Sequence, residues 1–92
     1  MTRWFRSYWA EEDTWFYFET GDDGWVTRQA ELQGPERRPV TAARATDSDA
    51  RYGFTAESPV SEWEGHAPEP LTAEQFESAW ATARHQLAAR FT

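Results

Sequence analysis

The sequence predicts an α+β protein: a small antiparallel sheet of three to four strands with a C-terminal helix packed across one face. Three observations lead there. Two aromatic-dense stretches near the start are separated by an acidic turn, a glycine-bounded loop leads from the second into a third strand-like run, and the final segment carries large apolar side chains at helical spacing. At 92 residues the chain has room for one modest core, so we read residues 1–92 as a single domain. Residues 1–33 form a three-stranded sheet, 34–70 an irregular connection, and 71–92 the C-terminal helix.

Residues 3–10 and 14–20 hold Trp4, Phe5, Tyr8 and Trp9, then Trp15, Phe16, Tyr17 and Phe18, residues that suit a pleated, half-buried surface. Glu11, Glu12 and Asp13 make the turn between them. Pairing Ala10 with Trp15 sets Arg6 opposite Glu19 as a cross-strand ion pair. The loop Asp22-Asp23-Gly24, with Gly24 at positive φ, leads into Trp25 to Gln33 and puts Gly21 opposite Trp25. That register gathers Phe5, Trp9, Phe16, Phe18, Val26, Ala30 and Leu32 on an inner face, whereas a one-residue slip would mix Phe16 and Phe18 with Thr27 and Gln29. The outer face then holds Trp4, Tyr8, Trp15, Tyr17 and Trp25 with Arg6, Glu19, Thr27, Gln29 and Glu31.

Five prolines interrupt residues 34–70, and turn and cap residues crowd Thr41 to Tyr52, where the alanines allow a short helix. Tyr52, Phe54, Val60 and Trp63 are expected to dock on the core, with a fourth, edge strand among them. The last element is the best marked. Phe76, Trp80, Ala83, Leu87 and Phe91 form one stripe, Thr72 and Gln75 have the spacing of a capping box, and Leu71 can staple onto Phe76. We place the helix from Ala73 to Arg90, lying over the inner face.

Composition removes several function classes. The net charge of −7 repels polyanions, so nucleic acid is not expected as a partner. No stretch approaches the ~20 apolar residues that span a bilayer, and Met1 to Arg6 lacks the apolar run of a secretory signal. No membrane partner is expected. The absence of cysteine excludes disulfides and thiolate chemistry and suits a reducing compartment, so the expected location is cytoplasmic. All nine basic residues are arginine, and Lys, Ile, Asn and Cys are missing, the mark of a GC-rich coding sequence.

No catalytic residue, metal ligand or cofactor is assigned, and an enzyme is disfavoured. Glu62, Glu64 and His66 alternate as strand neighbours and could hold a cation in principle, but the stretch reads equally well as a solvated loop. Asp22 and Asp23 are what the turn demands. The candidate site is the outer face, with Trp4, Arg6, Tyr8, Trp15, Tyr17 and Trp25 as binding residues, because a single helix covers only one side of the sheet and Trp, Tyr and Arg anchor interfaces. The expected partner is another protein or a second copy of this chain. The alternative is a small-ligand or catalytic pocket between the sheet and residues 34–70, with Glu62, Glu64 and His66 as its polar groups.

The run Trp15-Phe16-Tyr17-Phe18-Glu19, then Gly24-Trp25-Val26-Thr27-Arg28-Gln29-Ala30-Glu31, and much later Leu71 to Trp80, resembles a group of short uncharacterised acidic α+β proteins from GC-rich bacteria. The similarity covers about half of the chain. In that group the aromatic hairpin and a C-terminal Phe-Glu-x-x-Trp helix recur, with no catalytic residues to carry over. In size and composition the chain is also similar to immunity proteins that neutralise bacterial toxins. That likeness implies a protein partner.

Overall fold

The computed structural model describes residues 1–46, 50–63 and 67–90. Five strands form one antiparallel sheet: β1 (Arg3–Trp9), β2 (Thr14–Thr20), β3 (Val26–Gln33), β4 (Arg38–Arg44) and β5 (Glu69–Pro70), in the order β4-β3-β2-β1-β5. Helix α1 (Ala73–Arg90) packs on one side. The sheet thus has five strands where three to four were expected.

The added strands come from the segment read as connection. Residues 38–44 form β4 in place of a helix, with Ala42 paired to Ala30 and Ala43 paired to Gln29. All four side chains are buried, so the alanine run marks a strand covered on both faces, which carries no alternation to distinguish it from a helix. Of the helix expected over Thr41 to Tyr52, the described residues show β4 through Arg44 and a 3-10 turn at Ala50–Tyr52, residues 47–49 lying outside them.

Two registers differ from expectation. In the first hairpin Ala10–Glu12 wind into a 3-10 turn closed by Asp13 at φ 46°, and Arg6 pairs with Tyr17 rather than Glu19. This two-residue shift keeps every side chain on its face. In the second hairpin Gly24 takes φ 79° and the Gly21 N–H donates to the Trp25 carbonyl, as the loop requires. A β-bulge beyond Thr20↔Val26 then slips the pairing by one, giving Phe18↔Gln29, Phe16↔Glu31 and Tyr17↔Ala30. Val26 therefore stays with Phe5 and Phe18, while Ala30 and Leu32 join Trp4 and Tyr17.

The bulge decides where the helix lies. Phe76, Trp80, Ala83 and Leu87 are buried as expected, but against Ala30 and Ala42, with Trp4, Tyr17 and Leu32 at the margin. The helix thus covers the face read as the outer, binding face, not the inner one. Ala30 and Ala42 leave room for the large side chains of α1, whereas Phe5, Phe16 and Phe18 fill their own face. The helix start forms as the spacing predicts: the Gln75 N–H donates to Thr72 Oγ1 at 3.1 Å and the Thr72 N–H to Gln75 Oε1 at 2.9 Å.

The second face is closed by a strap. After Tyr52, which packs under α1, the chain rounds the edge of β4 at Gly53, where a Cβ would meet Thr41 Oγ1 at 2.9 Å and φ is 80°. The Ala56 N–H then donates to Gln29 Oε1, and the Val60 N–H to the Gly24 carbonyl. Ala56, Val60 and Trp63 pack against the Phe5, Phe18 and Val26 cluster, and Phe54 stays exposed.

Candidate functional site

Alternation along β1 and β2 sends Trp4, Arg6 and Tyr8, then Trp15, Tyr17 and Glu19, toward the α1 side of the sheet. The helix covers this set unevenly. Trp4 lies at the edge of the helix-side core, and its indole N–H donates to Glu19 Oε2 at 2.9 Å. Glu19 also accepts from Arg28 Nε at 2.9 Å and from Thr27 Oγ1 at 2.8 Å. Arg28 reaches Glu77 on α1 as well, with its guanidinium over the rings of Phe76 and Trp80 at 5.0 and 5.2 Å. The hydrogen bond from Arg28 holds the Glu19 carboxyl down to about 2 against the opposing effect of burial, and donating to Glu19 and Glu77 raises Arg28. Trp4 is therefore part of a clamp between helix and sheet.

Arg6, Tyr8, Trp15 and Tyr17 remain beside the helix. The Arg6 guanidinium sits 4.1 Å from the Trp15 ring centroid, Trp15 lies 5.1 Å from the Tyr8 ring, and Arg37 is 5.7 Å from Tyr8. The result is a ladder of two neighbouring rings with a cation at each end. Arg6 donates to the Tyr17 hydroxyl oxygen at 3.2 Å and pairs with Glu69 of β5 at 3.4 Å. Tyr8 donates to Asp13 Oδ1 at 2.7 Å, which Arg37 contacts at 2.8 Å. Hydrogen bonding to Asp13 raises Tyr8, while Arg37, then Tyr8, lower Asp13. Both groups move away from neutral pH, so the ladder offers stacking and hydrogen bonding rather than proton transfer.

Between this ladder and α1 runs a groove of about 570 Å³, floored by Tyr17 and Leu32. Gln75, Ser78, Thr82 and Gln86 of α1 make one wall, with Arg6, Arg37 and Glu69 opposite. The expected site is thus divided: four of its residues line or adjoin the groove, Trp4 is absorbed into the clamp, and Trp25 stands apart, 45 % exposed at its turn.

Arg37, Asp13 and Glu69 escaped the sequence reading. Arg37 returns to β1 only because Gly34 and Arg37 both take positive φ around Pro35, and Glu69 because β5 pairs with β1. Glu62 is exposed in a 3-10 turn, while Glu64 and His66 lie outside the described residues. Among the described residues no group of three or more His, Asp or Glu side chains could hold a metal ion, and no helix is long and apolar enough to cross a membrane. Comparison with protein-family models, curated proteins and solved structures finds no match to this chain.

Proposed function

We propose that this chain is a non-enzymatic, intracellular protein-binding module of the immunity or regulator kind, which receives an extended segment of its partner in the groove between α1 and the β1–β2 end of the sheet. The observation that carries this reading is the Arg6–Trp15–Tyr8–Arg37 ladder, whose two arginines line that groove. Arg and aromatic side chains dominate interface energetics, and these are held in place by neighbours, so little conformational freedom remains to be lost on binding. Each guanidinium has five N–H donors, more than its internal bonds use, which favours a segment bearing a carboxylate or a row of backbone carbonyls. A second copy of the chain is the other protein that fits the same reading.

The test is retention of partners from the native lysate on immobilised chain, with light scattering at several concentrations. The reading expects a protein, or a second copy, that wild type and Trp9→Ala hold and that Arg6→Ala and Trp15→Ala lose at least tenfold. Association indifferent to Arg6 and Trp15, or no association at all, overturns it.

A further inference from the structure

The sheet face opposite α1 holds a second concavity, of about 230 Å³, between the strands and the strap. Phe16 and Phe18 from β2 lie parallel, 3° apart in plane with centroids at 6.0 Å. Trp63 approaches Phe18 at 4.8 Å, tilted by 55°, and Trp9 stands 6.0 Å from Phe16. Rings thus wall the cavity on the β2, strap and β1 sides. Trp9, which lines the cavity, is 52 % exposed, so the β1 side is open to solvent.

Two polar side chains, Ser7 and Gln29, line this cavity among the described residues, and both are buried. Gln29 lines it and is 6 % exposed, with Oε1 accepting from the Ala56 N–H at 2.8 Å and Nε2 donating to Glu31 Oε2 at 3.0 Å. Those two bonds set which end of the amide is which. A carboxamide carries two N–H donors and two acceptor lone pairs, so one of each is left over. Among the described residues no charged side chain lines the cavity, and the Glu31 carboxylate bonded to Gln29 disfavours an anion.

Size narrows the class further. The volume lies below the ~300–1,000 Å³ typical of drug-sized ligands and above the ~150 Å³ of an apolar cavity that takes benzene. We propose that this cavity binds a small neutral aromatic molecule of one or two rings bearing a single O–H or N–H group, of the phenol or indole class. The ring slots between Trp9, Phe16 and Trp63, and its polar hydrogen meets Gln29 Oε1. The inference is independent of the groove on the other face.

Titration of the full chain with 4-methylphenol, followed by ¹H–¹⁵N correlation spectra, tests it, with toluene and benzoate as comparators. Saturable shifts centred on Ser7, Phe16, Gln29 and Ala56 are expected, with 4-methylphenol binding roughly fivefold or more tighter than toluene, since only it satisfies the amide. Benzoate should leave these signals unmoved. Ala56→Leu fills the cavity and should abolish the shifts in a folded protein, and Trp9→Ala should weaken binding by roughly tenfold. If Ala56→Leu fails to fold, Trp9→Ala decides the point. Absence of saturation, shifts on the groove side, or equal binding of benzoate overturns the proposal.

Discussion

The two faces of the sheet are packed in opposite ways. On the α1 side the sheet contributes small side chains at the centre, Ala30 and Ala42, and the helix brings the bulk with Phe76, Trp80 and Leu87. On the other side the sheet supplies the bulk, Phe5, Phe16 and Phe18, and the cover is a strap adding Ala56, Val60 and Trp63. A helix carrying large residues needs a shallow sheet surface, and a surface already filled with rings needs only a thin cover. The amount of apolar surface therefore does not choose the helix side; the relief of that surface does.

The largest expected effect separates the two covers. Phe76 is fully buried, and Phe76→Ala should cost about 3–5 kcal/mol, whereas Phe16→Ala, half-buried beside the ring-lined cavity, should cost about 1–2 kcal/mol. Urea unfolding followed by tryptophan fluorescence measures both. Equal losses would mean that strap and helix share the load evenly, and the contrast between the faces would fail.

Much of this contrast was legible in the residues, and its orientation was not. Thr72, Gln75 and the Phe76, Trp80, Leu87 spacing define α1 within the chain itself, because caps and helical stripes are local. The aromatic strands and the Gly24 turn are local too. Orientation hangs on one extra residue at the β3 bulge, which moves Ala30 and Leu32 across the sheet while Val26 stays. A bulge is settled by what the slipped side chains meet, here Arg28 on Glu19 and Glu77, the latter 49 residues away. The candidate site follows the same rule. Trp15, Tyr8, Arg6 and Tyr17 could be placed on one face by alternation alone, but Arg37 and Glu69 complete the ladder through long-range pairing.

Charge sharpens the comparison, since each face holds a carboxyl displaced in the opposite direction. Glu19, on the helix side, is lowered from 4.5 to about 2 by its hydrogen bond from Arg28. A depressed folded-state value contributes stability that is present above the unfolded value and lost as pH falls through the folded one. Wild type should therefore lose about 2 kcal/mol between pH 4.5 and 2, with solvent screening taken into account, and Glu19→Gln should flatten that descent. Glu31, on the strap side, is raised by burial against hydrogen bonds from Thr41 and Gln29 that lower it. Its contribution has the other sign, falling as pH rises from 4.5 through the folded value, so Glu31→Gln should leave stability at pH 7 unchanged or improved by up to about 1 kcal/mol. Urea midpoints across pH 2–8 separate the two: relative to wild type, Glu19→Gln should make the rise of stability with pH shallower and Glu31→Gln steeper, and changes of the same sign would contradict the assignment.

The smallest expected effect concerns how firmly the helix is set on its face. Thr72 follows directly on Leu71, whose N–H donates to the Trp4 carbonyl of β1, and its side chain caps the first turn of α1. The capping box therefore sits where the chain passes from the β1 edge into α1, beside Leu71 and Gln75 of the groove lining. Thr72→Ala removes one N-terminal acceptor and should cost about 1 kcal/mol, with Gln75→Ala costing less because it leaves the Thr72 hydroxyl in place. The double variant should cost less than the sum, since each side chain holds the other's backbone N–H. Strict additivity would show that the two bonds act separately, and the helix start would then be held by Leu71 and Phe76 packing alone.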